Sequence, residues 1–220
     1  MNRRIITTAD GSSTIYLEDW GESYHSRHGA IQEAYHVFIK NGLSLFKKGN
    51  ISILEMGFGT GLNALITLIE TSKSKLTVSY TGIEAYPVTV SELNKLNYIE
   101  QLGAWEFQGE FKRMHSTPWE TAIPILPHFT LFKEQKDFSE VAANALYDLI
   151  YFDAFGARVQ PKLWTEAIFG LMFKTMKKNG ILVTYAAKGS VRRAMQAVGF
   201  AVERLPGPPG KREMLRALKP

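Results

Sequence analysis

A chain of 220 residues with 45% hydrophobic and 21% charged side chains is long enough for one well-buried domain, and its composition excludes the disordered class. It has no cysteine, which excludes disulfides, thiolate metal sites and cysteine nucleophiles. No segment approaches the roughly 20 apolar residues of a membrane span, and no signal-peptide run follows the basic start, so we expect a cytoplasmic protein without a membrane anchor.

The net charge of +5 is unevenly distributed along the chain. Residues 1–150 hold 13 Lys+Arg against 17 Asp+Glu, whereas residues 151–220 hold 13 against 4. A basic C-terminal third suits a polyanionic partner such as nucleic acid. The alternative is a solvated basic surface, because positive charge alone is not a motif.

The first part of the chain predicts a β-hairpin and a helix that stand before the main fold. Two short strand patterns flank the turn pair Asp10-Gly11, and a helical pattern after Gly29 ends at Asn41-Gly42. We therefore assign residues 1–42 to an extension packed on the core, and residues 43–220 to the main domain.

Two histidines in this extension, His25 and His28, are metal ligands by residue type. They are three residues apart, and neither a carboxylate nor a third histidine follows at a useful spacing. We expect structural or surface histidines here and predict no metal site.

Residues 51–63, ISILEMGFGTGLN, predict a buried strand, a tight turn and a helix start. The strand leads into Glu55, and three glycines follow at Gly57, Gly59 and Gly61. Glycine is required where φ is positive or where a ligand touches the backbone. A dinucleotide loop has the spacing G-x-G-x-x-G, but here the third glycine comes one position early. With a carboxylate before it, this loop favours a ligand that has a cationic amino-acid tail and no phosphate.

The second strand of the main fold, residues 76–83, ends at Glu84. An acidic residue at this strand tip can accept both hydrogen bonds of a ribose diol. The alternative is a carboxylate that caps the next helix, since Thr89 and Glu92 have the spacing of a capping box there. Together with the glycine loop upstream, the position favours the ribose role.

The later strands complete an α/β sheet and deliver Asp153. This residue follows a strongly apolar strand, and ligands of open α/β sheets bind at such strand ends. Residues 105–128 predict a short helix or loop over the sheet. Asn179-Gly180 predicts the end of one helix, and Ser190 predicts the N-terminal cap of the next. Trp164 is expected in the core, and stacking on a base is the alternative role of its side chain. The seven predicted strands lie at residues 51–55, 76–83, 129–132, 147–152, 181–186, 200–205 and 213–218.

This pattern predicts a Rossmann-like, doubly wound seven-stranded sheet with an antiparallel last strand and a small N-terminal β-hairpin extension. The segments LEMGFGTGLNAL, TGIEAYP, YFDAFGARVQPKLW and GPPGKREMLRA, with GAIQEAYHVFIKNGL upstream, resemble the class I S-adenosylmethionine-dependent methyltransferases, and within them the methyltransferase domain of the MnmC family. The chain is too short for that family's flavin-dependent oxidase domain, so it resembles the stand-alone form.

The resemblance implies a reaction. S-adenosylmethionine would be the cofactor, and the methyl acceptor would be the aminomethyl nitrogen of 5-aminomethyl(-2-thio)uridine at the tRNA wobble position. The tRNA would be the macromolecular partner, and the enzymes that make the aminomethyl intermediate would be further partners.

The resemblance also implies roles for individual residues. Glu84 would bind the ribose of the cofactor, and Asp137 would lie near the adenine. Asp153 would lie beside the methyl acceptor as the catalytic residue, while positioning the cofactor or capping the next helix is its alternative role. This sequence has Gln160-Pro161 where the family has an Asn-Pro pair. The proline keeps the turn, but the resemblance does not imply a specific hydrogen bond from Gln160. The residues implied on the methionine side of the cofactor are Glu55, Gly57, Gly59, Gly61 and Asn63.

Basic side chains near the end of the chain would contact tRNA phosphates, which position RNA without reading its sequence. The alternatives are a small-molecule methyltransferase on the same core and a non-catalytic module that binds cofactor or RNA. A nicotinamide-dependent oxidoreductase is disfavoured by the glycine spacing. The implied tRNA contacts are Arg192, Arg193, Lys211, Arg212 and Arg216.

Overall fold

The structure, a computed structural model, describes residues 2–220. A small antiparallel sheet and a helix come first in the chain. These elements are β1 Arg3–Thr7, β2 Ser13–Leu17, β3 Glu22–Ser23, α1 Ala30–Ala34 and a π-helical continuation, Tyr35–Lys40. The three strands pair in the order β1-β2-β3, and Ile5 lies opposite Ile15 in the hairpin. The π-helical stretch buries Val37 and Phe38 against the central sheet.

Eight further strands form one central sheet. They are β4 Lys48–Met56, β5 Lys75–Ile83, β6 Ile123–Leu126, β7 Phe129–Glu134, β8 Tyr147–Phe152, β9 Met176–Thr184, β10 Ala201–Pro206 and β11 Glu213–Leu218. Their order across the sheet is β10-β11-β9-β8-β4-β5-β7-β6. Strands β4, β5, β7, β8 and β9 are parallel, whereas β11 is antiparallel to both β9 and β10, and β6 is antiparallel to β7.

Helices cover both faces of this sheet because its central strands are apolar on both sides. In β4, Ile53 belongs to the core on one face and Leu54 to the core on the other. Among residues 2–220, every helix is too short or too polar to cross a lipid bilayer. The helices are α2 Leu62–Ser72, α3 Val90–Leu93, α4 Tyr98–Leu102, α5 Gln108–Ser116, α6 Glu166–Thr175 and α7 Gly189–Ala197, with short 3-10 segments at Leu43–Leu45, Trp105–Phe107, Phe138–Glu140 and Pro161–Trp164.

The predicted fold class is confirmed, and the sheet has one strand more than predicted. The seven predicted strands are present, and the last one, β11, is antiparallel. The extra strand, β6, lies in the stretch 105–128, where we expected only a short helix or loop. It is a four-residue edge strand whose Pro124 lacks an N–H group, and proline is tolerated only at such edges. A short strand broken by proline gives no alternating pattern to detect.

Two local predictions were wrong. Asn179-Gly180 does not end a helix but lies inside β9, where the pairing with β8 shifts register. The backbone N–H of Asn179 donates to the carbonyl of Lys219 at 2.8 Å, so the turn-forming pair is accommodated as a bulge against the end of the chain. Ser190 does not cap α7, because the helix begins at Gly189, and Lys188 stands at the cap position without a side-chain hydrogen bond.

Candidate active site

The carboxyl ends of β4, β5 and β8 open into a cleft, and ligands of open α/β sheets bind at such strand ends. Gly61 lies behind the loop, at the N-cap of α2, with φ of 72°. The predicted site residues that line the cleft are Glu55, Gly57, Gly59, Asn63, Glu84, Asp137 and Asp153. The structure therefore brings together residues that are up to 98 positions apart in the chain.

The glycine loop folds back onto the end of β5. The backbone N–H groups of Gly57 and Phe58 both donate to the carbonyl of Ile83, at 3.0 and 2.9 Å. Gly57 has φ of 98°, and a Cβ placed on it would lie 2.7 Å from the carbonyl oxygen of Asp153. This position requires glycine for two reasons, its dihedral angle and its close backbone neighbour.

Glu84 holds the glycine loop through both of its carboxylate oxygens. Oε2 accepts from the backbone N–H of Gly59 at 2.9 Å, and Oε1 accepts from that of Tyr86 at 2.8 Å. The next helix, α3, is capped by a complete capping box of Thr89 and Glu92. The helix cap that we considered for Glu84 is therefore made by other residues.

Asn63 joins two carboxylates at the floor of the cleft. Its Nδ2 donates to Glu55 Oε1 at 2.9 Å and to Asp153 Oδ2 at 2.8 Å, while the hydroxyl of Tyr80 donates to Glu55 Oε2 at 2.8 Å. Burial raises the pKa of Glu55 well above its usual value, although these two hydrogen bonds act against the rise. The Oδ1 atom of Asn63 is buried without a hydrogen-bond partner in the described chain. The cleft thus offers a buried acceptor whose partner a ligand can supply.

Asp153 follows β8, and its backbone N–H donates to the carbonyl of Met56 at 3.0 Å. Burial raises the pKa of Asp153 to about 7, and the negative charge of Glu33 adds to the rise. The hydrogen bond from Asn63 and the positive charge of Lys211 act in the opposite direction. A carboxylate that titrates near neutral pH can accept and release a proton during a reaction.

Lys211 is held next to this carboxylate by two contacts. Its Nζ forms an ion pair with the buried Glu33 and lies 3.8 Å from the ring centroid of Tyr185. The hydroxyl of Tyr185 donates to the carbonyl of Ala154 at 2.7 Å, which fixes the segment after Asp153. Lys211 therefore contributes to the electrostatics of the cleft.

The other predicted tRNA contacts lie on different elements of the C-terminal third. Arg212 lines a second groove, Arg192 and Arg193 lie on α7, and Arg216 forms an ion pair with Glu203 at 3.1 Å. Of the five basic residues, Lys211 and Arg212 line the same groove.

Asp137 is at the cleft margin and caps the short 3-10 segment that follows it. Its Oδ1 accepts from the backbone N–H of Ser139 at 2.9 Å and from the hydroxyl of the same residue at 2.6 Å. These hydrogen bonds lower the pKa of Asp137, so the carboxylate is charged at neutral pH. Phe138, beside it, is buried and supplies an apolar surface to the cleft.

The N-terminal sheet forms one wall of the cleft, which we did not predict. Trp20 and Tyr24 contact the ring of Phe155 edge to face, with centroid distances of 5.3 and 5.0 Å. Arg158 donates to Glu22 and to the carbonyl of Trp20 at 2.8 and 2.9 Å. Trp20 and Tyr24, two aromatic residues in the polar stretch after the hairpin, were a signal for this wall, but no motif marks them.

Arg3 fastens the same sheet to the loop after Glu84. Its guanidinium donates to the carbonyl oxygens of Tyr86 and Pro87 at 3.1 and 3.4 Å, and it pairs with Glu92 at 3.4 Å. The N-terminal sheet is therefore tied to the cleft margin on both sides.

His25 also lies in this wall, with its Nδ1 3.1 Å from the hydroxyl oxygen of Thr14. Burial lowers the pKa of His25 to about 4, so the ring is neutral at physiological pH. Among residues 2–220, no group of three His, Cys, Asp or Glu side chains is placed to hold a metal ion.

Comparisons with known proteins agree with this geometry. A family model described as S-adenosyl-L-methionine-dependent methyltransferase matches residues 131–220. The tRNA 5-methylaminomethyl-2-thiouridine biosynthesis bifunctional protein MnmC of Aromatoleum aromaticum is 29% identical over 97% of this chain and 35% of that protein. The MnmC protein of Leptospira interrogans serogroup Icterohaemorrhagiae is 28% identical over 96% of this chain and 34% of that protein. The chain thus spans about a third of the length of these curated relatives.

Among solved structures, MNMC2 from Aquifex aeolicus matches with a TM-score of 0.77 and 26% identity, over 98% of this chain and 69% of that chain. The predicted resemblance to an MnmC-like methyltransferase domain is confirmed, and so is S-adenosylmethionine as the cofactor of the matching family.

Proposed function

We propose that this chain is a tRNA methyltransferase that methylates the aminomethyl nitrogen of 5-aminomethyluridine, with or without a 2-thio group, at the wobble position. The observation that carries the proposal is Asp153, a carboxylate with a pKa of about 7 that is bound to Asn63 inside the cofactor cleft. The names of the relatives, which refer to tRNA methylaminomethyl-thiouridine biosynthesis, support the choice of acceptor.

The residues of the cleft fit S-adenosylmethionine. The unpartnered Oδ1 of Asn63 and the carboxylate of Glu55 suit the ammonium group of its methionine part. Glu84 uses each oxygen for one backbone N–H group, and the remaining lone pairs can accept the two hydroxyls of a ribose. Asp137 and Phe138 would contact the adenine, one by hydrogen bonding and the other by apolar contact. When bound, the cofactor supplies an electrophilic methyl group on a sulfonium.

Asp153 would act on the acceptor amine. An alkylammonium group must lose a proton before its nitrogen has a free lone pair, and the carboxylate of Asp153 can take that proton. Asn63 already donates to Oδ2 at 2.8 Å, so Oδ1 is the oxygen that would accept from the amine. The fixed carboxylate also orients the nitrogen, which contributes to the rate by alignment.

A tRNA substrate also supports the predicted cytoplasmic location. Because the proposed acceptor is itself a modified base, a separate reaction must first place the aminomethyl group on uridine. The enzymes that catalyse that reaction are the further partners we propose.

The decisive test uses tRNA that carries 5-aminomethyluridine and matched tRNA that lacks the aminomethyl group. We expect label from radioactive S-adenosylmethionine in the first tRNA only, and nucleoside digestion should give 5-methylaminomethyluridine by mass. Protein-free reactions and mixtures of small-molecule amines are the controls. Labelling of small amines without labelling of tRNA would overturn the proposal.

Arg3→Ala is expected to weaken S-adenosylmethionine binding about three- to tenfold. The change removes a part-buried hydrogen bond to the carbonyl of Pro87, worth about 1 kcal/mol, and an exposed one to the carbonyl of Tyr86, and thereby loosens the loop that Glu84 also holds. Arg4→Ala is the matched control, because the Arg4 side chain is 62% exposed and pairs only weakly with Glu18 at 3.6 Å. Titration calorimetry with both variants measures the difference, and equal affinities would contradict it.

Lys211→Met is expected to move the acid limb of the pH–rate profile to higher pH. The positive charge of Lys211 lowers the pKa of Asp153, so its removal raises that pKa, and the freed negative charge of Glu33 acts in the same direction. If ionised Asp153 is the active form, half-maximal kcat/KM then requires a higher pH. Arg204→Met, in the same terminal hairpin and 48% exposed, should leave the profile unchanged. An unshifted profile in Lys211→Met would refute the link.

A further inference from the structure

A second groove adjoins the cofactor cleft. The two are separated by the segment 153–158, whose first residues line the cleft while Gly156, Ala157 and Arg158 line the groove. The hydrogen bond from Tyr185, another groove residue, to the carbonyl of Ala154 holds this partition in place. The cleft that contains Asp153 and the groove therefore lie on either side of one short segment.

The charge of the groove is positive after its ion pairs are taken into account. Arg158 is paired with Glu22, which also lies in the groove, and Lys211 is paired with Glu33. The other groove carboxylate, Glu213, lies 3.7 Å from Arg204. The pairs therefore account for both carboxylates and for two of the four groove cations.

Lys188 and Arg212 are the two remaining cations. Both are exposed, and neither has a carboxylate within ion-pair distance among residues 2–220. The groove is also lined by the small residues Ala186, Ala187 and Gly156, which leave room for a chain to lie against the protein. Two unpaired cations beside small residues suit the evenly spaced charges of a sugar-phosphate backbone.

We propose that this groove holds the RNA backbone next to the methylated nucleotide, with Lys188 and Arg212 each contacting a phosphate. The inference rests on the proposed function, because it assumes that a base enters the cleft while its backbone stays outside. Enzymes that act on a base take it out of the stack, and the adjoining backbone must then follow the protein surface. Lys188, which the sequence did not single out, and Arg212 would position the RNA without reading its sequence.

The test compares the charge-reversal double variant Lys188→Glu/Arg212→Glu with the control Lys48→Glu/Lys75→Glu. The control changes the net charge equally, and its two exposed lysines pair across β4 and β5 at the opposite end of the parallel strands. Binding of a fluorescently labelled tRNA anticodon stem–loop is measured by anisotropy at several salt concentrations, and S-adenosylmethionine affinity by calorimetry.

The groove variant should bind the RNA at least tenfold more weakly than the control, with a logarithmic salt slope shallower by about 1.5 for two lost phosphate contacts. Its S-adenosylmethionine affinity should stay within twofold of the wild type. Equal RNA affinities for the groove variant and the control would overturn the inference. A wild type that binds an anticodon stem–loop carrying 5-aminomethyluridine but never methylates it would instead overturn the proposed function, and the anisotropy comparison would still decide the groove.

Discussion

Replacing Asp153 by alanine is expected to lower kcat/KM for methyl transfer to tRNA by about 10²–10⁴-fold, the usual contribution of a general base. The carboxylate is bound to Asn63, and we propose that it orients the acceptor amine and accepts its proton. Glu55 and Glu84, the carboxylates that we propose to bind the cofactor, remain in the variant. We therefore expect the Kd of S-adenosylmethionine to change by less than about threefold, as measured by calorimetry.

The pH dependence distinguishes proton transfer from simple positioning. Because the pKa of Asp153 is about 7, kcat/KM of the wild type should rise with pH through neutrality and level off above it. The Asp153→Asn side chain keeps the shape of the aspartate and its contact with Asn63 but cannot take a proton. The pH–rate profile of its residual activity should therefore lack the rise through neutrality. A variant that retained full activity, or kept the same profile, would remove Asp153 from the mechanism.

The stability of Asp153→Asn supplies the control for misfolding. Burial holds the native-state pKa above the ordinary value of 3.8, so the native state binds more protons than the unfolded chain between that value and about 7. The free energy of unfolding contributed by this group therefore falls as the pH rises through that range. The asparagine variant lacks this loss and should be at least as stable as the wild type at pH 8. Thermal unfolding at pH 5 and pH 8 measures the difference.

The part of the site that could be predicted is the part encoded within short stretches of sequence. The strand that ends at Glu55, the glycines after it and the acidic tip at Glu84 belong to one βαβ unit, in which apolar period and glycine spacing are local signals. Asp153 was predicted for the same reason, because an apolar strand precedes it directly. These local signals can be recognised without knowing which tertiary contacts the side chains make.

The part that could not be predicted depends on contacts between distant segments. Arg3 reaches the carbonyl of Tyr86, 83 positions away, and Arg158 reaches Glu22 across 136 positions. Such pairs leave no periodic pattern, and a lone arginine in a hairpin most often points to solvent. The ion pair between Lys211 and Glu33 spans 178 positions. Lys211 was predicted only as a tRNA contact, whereas the structure shows that its charge also acts on Asp153.

Gly57→Ala is the second change with a large expected effect, since it acts on the glycine loop and on Asp153 together. A Cβ at this position would lie 2.7 Å from the carbonyl oxygen of Asp153, a distance at which one of the two backbones must move. Neither can move freely, because Asp153 donates to the carbonyl of Met56 at 3.0 Å and the loop N–H groups donate to Ile83. A displacement of about 1 Å at a catalytic group can cost about 10²-fold in rate. We expect kcat/KM to fall by about that factor and S-adenosylmethionine affinity to fall at least tenfold.

Gly49→Ala separates this clash from the cost of the backbone conformation. Gly49 lies near the start of β4, and Gly57 directly follows the end of that strand. Their φ angles are 95° and 98°, and a Cβ on Gly49 would meet nothing within 4 Å. Both variants should therefore lose stability through strain, on the order of 1–2 kcal/mol for a positive φ, but only Gly57→Ala should also lose affinity and rate. Thermal unfolding, calorimetry and initial rates on the two proteins give the comparison. If the two variants bound cofactor and methylated tRNA equally well, the close approach of the loop to Asp153 would have no part in holding the site.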